Sequence, residues 1–432
     1  MPEPIRIVRI IDRLNIGGPA KHVVWLTAAL NHGEFSSTLI TGIVPEGEGD
    51  MQYFADELGV RPVVIRELSR ELSLRDLVVI GKLLRLLFRL QPQIIHTHKA
   101  KAGATGRVAA WLYRWLTPSA LWFRPRSCRV VHTYHGHIFH SYYGRAKTRL
   151  FLAIERLLAR WATDRIVTVS EQQRTEISDQ FRVGRAEQFR VVPLGLDVDE
   201  IGSETGETRE TGEKSRKGQR GEGSETGEKG ASRSLRAEYS IPENVPLIGF
   251  VGRLCEVKNL PLLLEVAKWV TEQSVPARFL LIGDGHLRAS LETQAQKLGL
   301  TDIVLFAGFR RDVLSLYGEM DIAVLTSLNE GTPLTLIEAM AAGRPVASTE
   351  VGGVADIMGA REGVMEGFSL WSHGITAPSG RAEALGRGLR YLLERAPLRE
   401  AMGHRGHAFV KSRLTKDRLA EDIRKVYVEM LN

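Results

Sequence analysis

Two cysteines, Cys128 and Cys255, are all that 432 residues contain. That excludes a disulfide framework and fits a reducing compartment. No run of 18 uncharged apolar residues occurs, which removes a transmembrane helix from consideration. Charges interrupt the opening "MPEPIRIVRIIDRLN" before it could form the apolar core of a secretory signal. The expectation is a soluble, cytoplasmic protein. Acids are scarce in one stretch: from Lys82 to Arg165 there are 16 Lys or Arg and two acids, Glu155 and Asp164. Another stretch, "GSETGETRETGEKSRKGQRGEGSETGEKGASRS" at 202–234, lacks Val, Ile, Leu and every aromatic residue, and repeats "GSETGE" at 202 and 223. It has nothing to bury, so it reads as a disordered polar insert with no chemistry of its own.

What remains is rich in apolar residues, 43% over the chain, and too long for a single core. The runs "IRIVRII", "SSTLITGIV", "RPVVI", "PQIIHTH", "RVVHTYH", "DRIVTVS" and "FRVVPLG" alternate with amphipathic stretches such as "RDLVVIGKLLRLLFRL". The rhythm returns after the insert at "VPLIGFVGR", "RFLLIGDG", "DIVLFAGF", "DIAVLTS" and "RPVASTEVGG". Strands alternating with helices predict parallel, doubly wound sheets. The fold class is therefore α/β, with two Rossmann-like domains at 1–200 and 241–415 facing a central cleft. The insert and linker span 201–240, and a final helix at 416–432 packs back on the first domain.

In such sheets ligands bind where strands end. Gly17 and Gly18 follow the first strand and open a helix, where backbone amides favour an anion. Arg253 and Lys258, in "GRLCEVKN" after the first strand of the second domain, are spaced to clamp a diphosphate. Gly283 and Asp284, in "GDGH", mark a further strand-end turn. The stretch "NEGTPLTLIEAMAAGRPV" at 329–346 holds Glu330 and Glu338 around a Gly-Thr-Pro. Pro333 suits a first helical position, which leaves Glu330 in a loop and Glu338 in the second turn. Gly331, Thr332 and the amides of Leu334 and Thr335 then border an anion site, with Glu338 placed for ribose hydroxyls and Glu330 for those of a sugar.

These motifs resemble family four of the retaining glycosyltransferases with the GT-B fold. The family's Glu, seven residues, Glu motif falls on Glu330 and Glu338, and its phosphate-binding cations on Arg253 and Lys258. Its glycine loop falls on Gly17 and Gly18, and its His-Gly on His135 and Gly136 of "HTYHGH". The segment "HTHKAKAGATGRVAA" resembles a stretch of members that build cell-surface polysaccharides, and makes Lys101 and Arg107 candidates for acceptor or phosphate contact. One departure is "GGPAKHV", where many members carry an acid soon after the glycines. The resemblance implies transfer of a sugar from a nucleotide diphosphate sugar to a saccharide or lipid-linked acceptor, with neither metal nor cofactor. In it Glu330, Arg253, Lys258 and His135 carry the chemistry.

Six of the 12 histidines fall between 96 and 140, and His96 and His98 share a strand face as metal ligands would. The neighbouring Lys99 and Lys101 oppose a cation, so no metal is expected. Asp197 and Asp199 spell Asp-x-Asp and read as a turn or helix start. The basic region, with Trp111, Trp115, Trp122 and Phe123 inside it, fits an anionic membrane surface and peripheral attachment to the inner face of the cell membrane. Two alternatives stay open at this point: a nucleotide-sugar 2-epimerase of the same fold, and a nucleic-acid-binding module. No nucleic-acid-binding signature accompanies the basic stretch, and nucleic acid is not an expected partner.

Overall fold

Each β-branched run of the first half becomes a strand: β1 (Ile5–Ile10), β2 (Phe35–Thr41), β3 (Val63–Val64), β4 (Ile94–His98), β5 (Arg129–Tyr134), β6 (Arg165–Thr168) and β7 (Phe189–Val191). The computed structural model describes residues 3–45, 49–69, 75–136, 145–198 and 234–432. Nearly all of the polar insert, together with His137, His140 and Asp199, lies outside the described residues. The chain divides into two units, Met1–Gly195 with Lys416–Asn432, and Leu196–Thr415.

In the first unit the strands run in the order β3-β2-β1-β4-β5-β6-β7, every pair parallel. Both faces of such a sheet are covered, which is why its strands read as continuous apolar runs. The order reverses between β1 and β4. The helices Arg75–Leu90, Ala100–Trp115 and Arg145–Trp161 connect strands in one direction across the sheet. Right-handed crossovers therefore put them on one face. Gly18–Ala29 connects in the opposite direction and lies on the other face. The C-terminal helix Lys416–Leu431 joins it there and buries Leu419, Ile423, Val426, Tyr427 and Met430 against Ile7, Leu26, Phe35 and Val131. Full burial of an aliphatic or methionine side chain contributes roughly 1.5–3 kcal/mol, so this helix is part of the first core. Arg418 fastens its start by donating to the Pro193 and Leu194 carbonyls, at 2.7 and 2.9 Å.

The second unit contains β8 (Leu247–Val251), β9 (Arg278–Ile282), β10 (Val304–Gly308), β11 (Ile322–Leu325), β12 (Val346–Thr349), β13 (Arg361–Met365), β14 (Phe368–Trp371) and β15 (Gly374–Ala377). Their order is β10-β9-β8-β11-β12-β15-β14-β13, with its reversal between β8 and β11. Two features differ from the sequence reading. The sheet is not parallel throughout, since β13–β14 and β14–β15 are antiparallel hairpins. The first turns on Glu366 and Gly367 with φ of 45° and 90°, the pair of positive φ values that a two-residue hairpin loop needs. The expected insert of 201–240 is also too long. Ser234 accepts from the Arg236 amide and caps a short helix, Leu235–Glu238, in which Leu235 is fully buried. Leu235 is the first branched apolar residue after the polar run, and packing resumes on it.

Candidate functional site

The chemistry-bearing side chains of the second unit gather at its strand-order reversal. β8 leads through Gly252 and Arg253 into a 3-10 turn, Glu256–Lys258, and β11 leads through Thr326 and Ser327 to Glu330. The two loops are tied by the Leu328 amide donating to the Val257 carbonyl at 2.8 Å and by the Thr326 hydroxyl donating to the Lys258 carbonyl at 2.9 Å. Lys258 Nζ then meets Glu330 Oε1 at 2.6 Å, and Ser327 Oγ donates to the same oxygen at 2.6 Å. Both charged side chains are more than four-fifths buried. The Arg253 side chain is exposed and has no hydrogen-bond or ion-pair partner among the described residues.

Two glycines fix these loops by close approach. A Cβ on Gly283 would lie 2.0 Å from the Gly252 carbonyl oxygen, and one on Gly352 only 1.7 Å from that of Glu330. Beside Gly352, the Gly353 amide donates to the carbonyls of Glu330 and Gly331 at 3.3 and 3.1 Å. Asp284 is exposed and accepts from the Gly285 amide at 2.7 Å.

Pro333 stands one position before the helix rather than inside it, as the N-cap of Leu334–Ala341. The amides of Leu334 and Thr335 precede any intrahelical acceptor, whereas those of Leu336 and Ile337 donate to the Pro333 carbonyl at 3.0 and 3.3 Å. Glu338 lies in the second turn, is buried, and accepts from Tyr317 Oη at 3.0 Å. Burial, then the Glu338 charge, raises the Tyr317 pKa well above its ordinary value, so the phenol stays a donor. Thus Lys258 and Glu330 touch each other, and Glu338 is anchored separately by Tyr317. Ser327, Tyr317 and the Gly352–Gly353 pair escaped the sequence reading. The double glycine after "RPVASTEV" was the one visible signal.

In the first unit, Gly17 caps and Gly18 opens the helix Gly18–Ala29, whose buried His22 reaches the ends of β4 and β5. The His22 and His135 rings lie 4.7 Å apart, and His98 Nδ1 is 3.0 Å from His135 Nε2. His96 stacks on His98 at 4.1 Å, and its nitrogens meet Tyr427 Oη at 2.6 Å and Thr133 Oγ1 at 2.7 Å. Burial, then Arg9 and Arg418, lowers the pKa of His22 to about 3. Burial also leads the causes that hold His96, His98 and His135 well below the ordinary value. Lys99, which caps the next helix at φ 63°, reaches Asp12 at 2.9 Å and Asn15 at 3.0 Å.

His22, His98 and His135 can each offer a nitrogen within 4.8 Å of the others. The charges of Arg9, Lys99 and Arg418 oppose protonation of these rings, and a metal ion there would meet the same repulsion. His96 has both nitrogens engaged. The expectations for Lys101 and Arg107 are corrected. Lys101 is buried in an ion pair with Asp76 at 2.8 Å. Arg107 is fully buried, donating to both Glu155 oxygens at 2.7 Å and to the Gly103 carbonyl at 2.8 Å. Both side chains are buried and engaged within the first unit.

Comparisons with known proteins agree with this architecture. A family model described as Glycosyltransferase Family 4 matches residues 16–200, and one described as Glycosyl transferases group 1 matches residues 232–409. The chain is 26% identical over 315 residues to the UDP-Gal:alpha-D-GlcNAc-diphosphoundecaprenol alpha-1,3-galactosyltransferase of Escherichia coli, covering 72% of this chain and 71% of that one. The structure of Anabaena HepE in complex with UDP superposes with a TM-score of 0.70 at 18% identity, covering 98% of this chain and 100% of that one. A glycosyltransferase from Rickettsia africae gives a TM-score of 0.70 at 17% identity, with both chains fully covered.

Proposed function

The chain belongs to the glycosyltransferases of GT-B fold, with a family 4 first domain and a group 1 second domain, and on that premise we propose that it moves a sugar from a uridine diphosphate sugar to a lipid-linked saccharide. Transfer retains the anomeric configuration and needs no metal, at the inner face of the cell membrane. The observation that carries this reading is the pairing of Lys258 with Glu330 beside the exposed Arg253, at the strand-order reversal of the second sheet. Two cations there suit a leaving diphosphate, whose charge develops in the transition state, where preorganised donors matter most. The acceptor hydroxyl oxygen bonds to the anomeric carbon as the carbon–phosphate-oxygen bond breaks. The electron pair leaves on the diphosphate, and the acceptor's proton passes to a phosphate oxygen. Glu338, held by Tyr317, receives ribose hydroxyls. The donor nucleotide is supported by the UDP bound to the Anabaena neighbour, and the acceptor class by the E. coli relative's name.

The test incubates the full chain with a panel of UDP-sugars and a diphosphoprenol-linked saccharide, with and without EDTA. Product anomers are assigned by proton NMR. A retained anomer formed equally in EDTA is expected; an inverted product, or loss of turnover in EDTA, overturns the mechanism. A nucleotide sugar altered at C2 without acceptor establishes the epimerase instead.

A further inference from the structure

Between its sheet and the helices Gly18–Ala29 and Lys416–Leu431 the first unit keeps a polar layer, in which Arg9 is the anomaly. Arg9 pairs in register with His96 across β1 and β4, and its side chain is fully buried. The guanidinium donates to Ser37 Oγ at 2.9 Å and to Tyr427 Oη at 3.4 Å. Neither partner is charged, since burial, the largest cause, raises the Tyr427 pKa above its ordinary value. Among the described residues no carboxylate pairs with Arg9, and its Nε has no hydrogen-bond partner. A buried charge is costly and is ordinarily paired. The same layer holds unanswered ring nitrogens. His22, His98 and His135 each bring one nitrogen within 4.8 Å of the others. Both nitrogens of His22, Nε2 of His98 and Nδ1 of His135 are buried without a hydrogen-bond partner. Whichever ring donates in the His98–His135 bond, one N–H of that pair is left over, and neutral His22 holds another. The fixed charges acting on these rings are those of Arg9, Lys99 and Arg418.

Clusters of unsatisfied buried polar atoms are rare in native proteins and are ordinarily answered by ordered water or an ion. Water would engage the N–H groups but leave the guanidinium uncompensated, and a metal ion would add to the positive excess. A negative ion answers both. We propose that the first unit binds one monatomic anion, chloride in size, among His22, His98 and His135, where it balances the charge of Arg9. Nitrogens this close leave space for a single atom rather than for a tetrahedral oxyanion. Bound there, the anion fixes which ring of the His98–His135 pair donates, at the carboxyl ends of β4 and β5. The inference goes beyond the sugar-transfer reading and does not depend on it, since a halide takes no part in that reaction.

The experiment follows thermal melting of the full-length protein as sodium chloride replaces sodium gluconate at constant ionic strength, gluconate being too large for the site. Chloride is expected to raise the melting temperature of the parent relative to Arg9→Met, by on the order of 3 °C at roughly ten times its dissociation constant. Arg9→Met keeps the length of the side chain without its charge, so it corrects for general salt effects. In gluconate it should melt no lower than the parent, because an uncompensated buried charge has been removed. His22→Phe keeps a ring without an N–H and should weaken chloride binding on the order of tenfold, which preserves the test if Arg9→Met does not fold. Crystals grown in sodium bromide should place an anomalous scattering peak beside His22, His98 and His135. The same chloride dependence in the parent and in both variants overturns the proposal. So does bromide confined to the protein surface, or a water molecule at this position. Turnover of UDP-sugars is assayed separately in gluconate, so failure here leaves the transferase reading standing, and a parent that binds chloride yet transfers no sugar leaves the anion site standing.

Discussion

Lys258 and Glu330 hold each other's charge in a setting with little water, so removing one strands the other. Lys258→Ala leaves the carboxylate with Ser327 alone. A hydrogen bond to a charged group contributes about 1.5–3 kcal/mol, and a stability loss of that size is expected in urea unfolding. Glu330→Gln keeps a hydrogen-bonding group at the same position and should lose less stability while lowering kcat/KM. Unchanged unfolding of Lys258→Ala would show that the pair does not form in solution. Glu338 offers a second test. Glu338→Ala should weaken donor binding 30- to 200-fold, about 2–3 kcal/mol on the charged hydrogen-bond scale. Tyr317→Phe, which only releases the carboxylate from its anchor, should cost less than tenfold. Equal donor dissociation constants for Glu338→Ala and the parent would remove Glu338 from the site. The buried imidazoles add a pH dependence. His22 is held at about 3 against an ordinary 6.5, and His96, His98 and His132 also lie well below it, burial being the largest cause for each. The unfolded chain binds these protons below about 6.5 and the folded chain does not. Their contribution is therefore fully present above that pH and is lost as pH falls toward 3, at up to about 1.4 kcal/mol per imidazole per pH unit. Calorimetric melting temperatures should drop between pH 7 and 5, and His22→Gln should flatten the slope. A pH-independent melting temperature would mean that the rings are protonated in the folded state.

At the scale of elements, what could be read from the sequence depended on whether the signal was local. All seven strands of the first sheet and five of the second were legible, because parallel strands are short β-branched runs, most of them buried, although β3 is exposed. β13 to β15 were not. Arg361–Met365 is largely exposed and carries little apolar pattern, and a hairpin at a sheet edge interrupts the strand–helix alternation that guided the reading. The Glu330 loop and the helix bearing Glu338 were legible from Gly331 and Pro333. Tyr317 and Ser327 were not, since their partnerships arise only when distant segments meet. Arg107 misled because the resemblance of its segment says nothing of which helical face turns inward. Gly352 gives this scale its test. Its φ of 53° and the 1.7 Å approach of the Glu330 carbonyl to any Cβ leave no room for a side chain. Gly352→Ala must displace the Glu330 loop. Turnover should fall at least tenfold while the rest of the second core keeps most of its stability, as circular dichroism melting and initial rates would report. An alanine variant with parental turnover would show that the loop's position is unimportant.

At the scale of the whole molecule, two sheets of the same winding are joined by a segment whose composition gives it nothing to bury. Deleting residues 203–232 should leave the melting temperature and donor turnover as they are, because a stretch without branched apolar or aromatic residues has no means of packing. A marked fall in either would assign the segment a structural role. The first unit is assembled from both ends of the chain, with Tyr427 of the last helix bonded to His96 in β4 and Ile423 and Met430 in the same core as Ile7. This has a consequence for biosynthesis. A ribosome that has delivered residues 1–195 has delivered a sheet with one apolar face covered only in part, by Gly18–Ala29, and the helix Lys416–Leu431 that completes the cover follows the second unit. The second unit has all of its residues outside the exit tunnel sooner than the first has its closing helix, so the domain begun first is completed last. During that interval its partly covered face is a natural client for the chaperones that wait at the tunnel mouth.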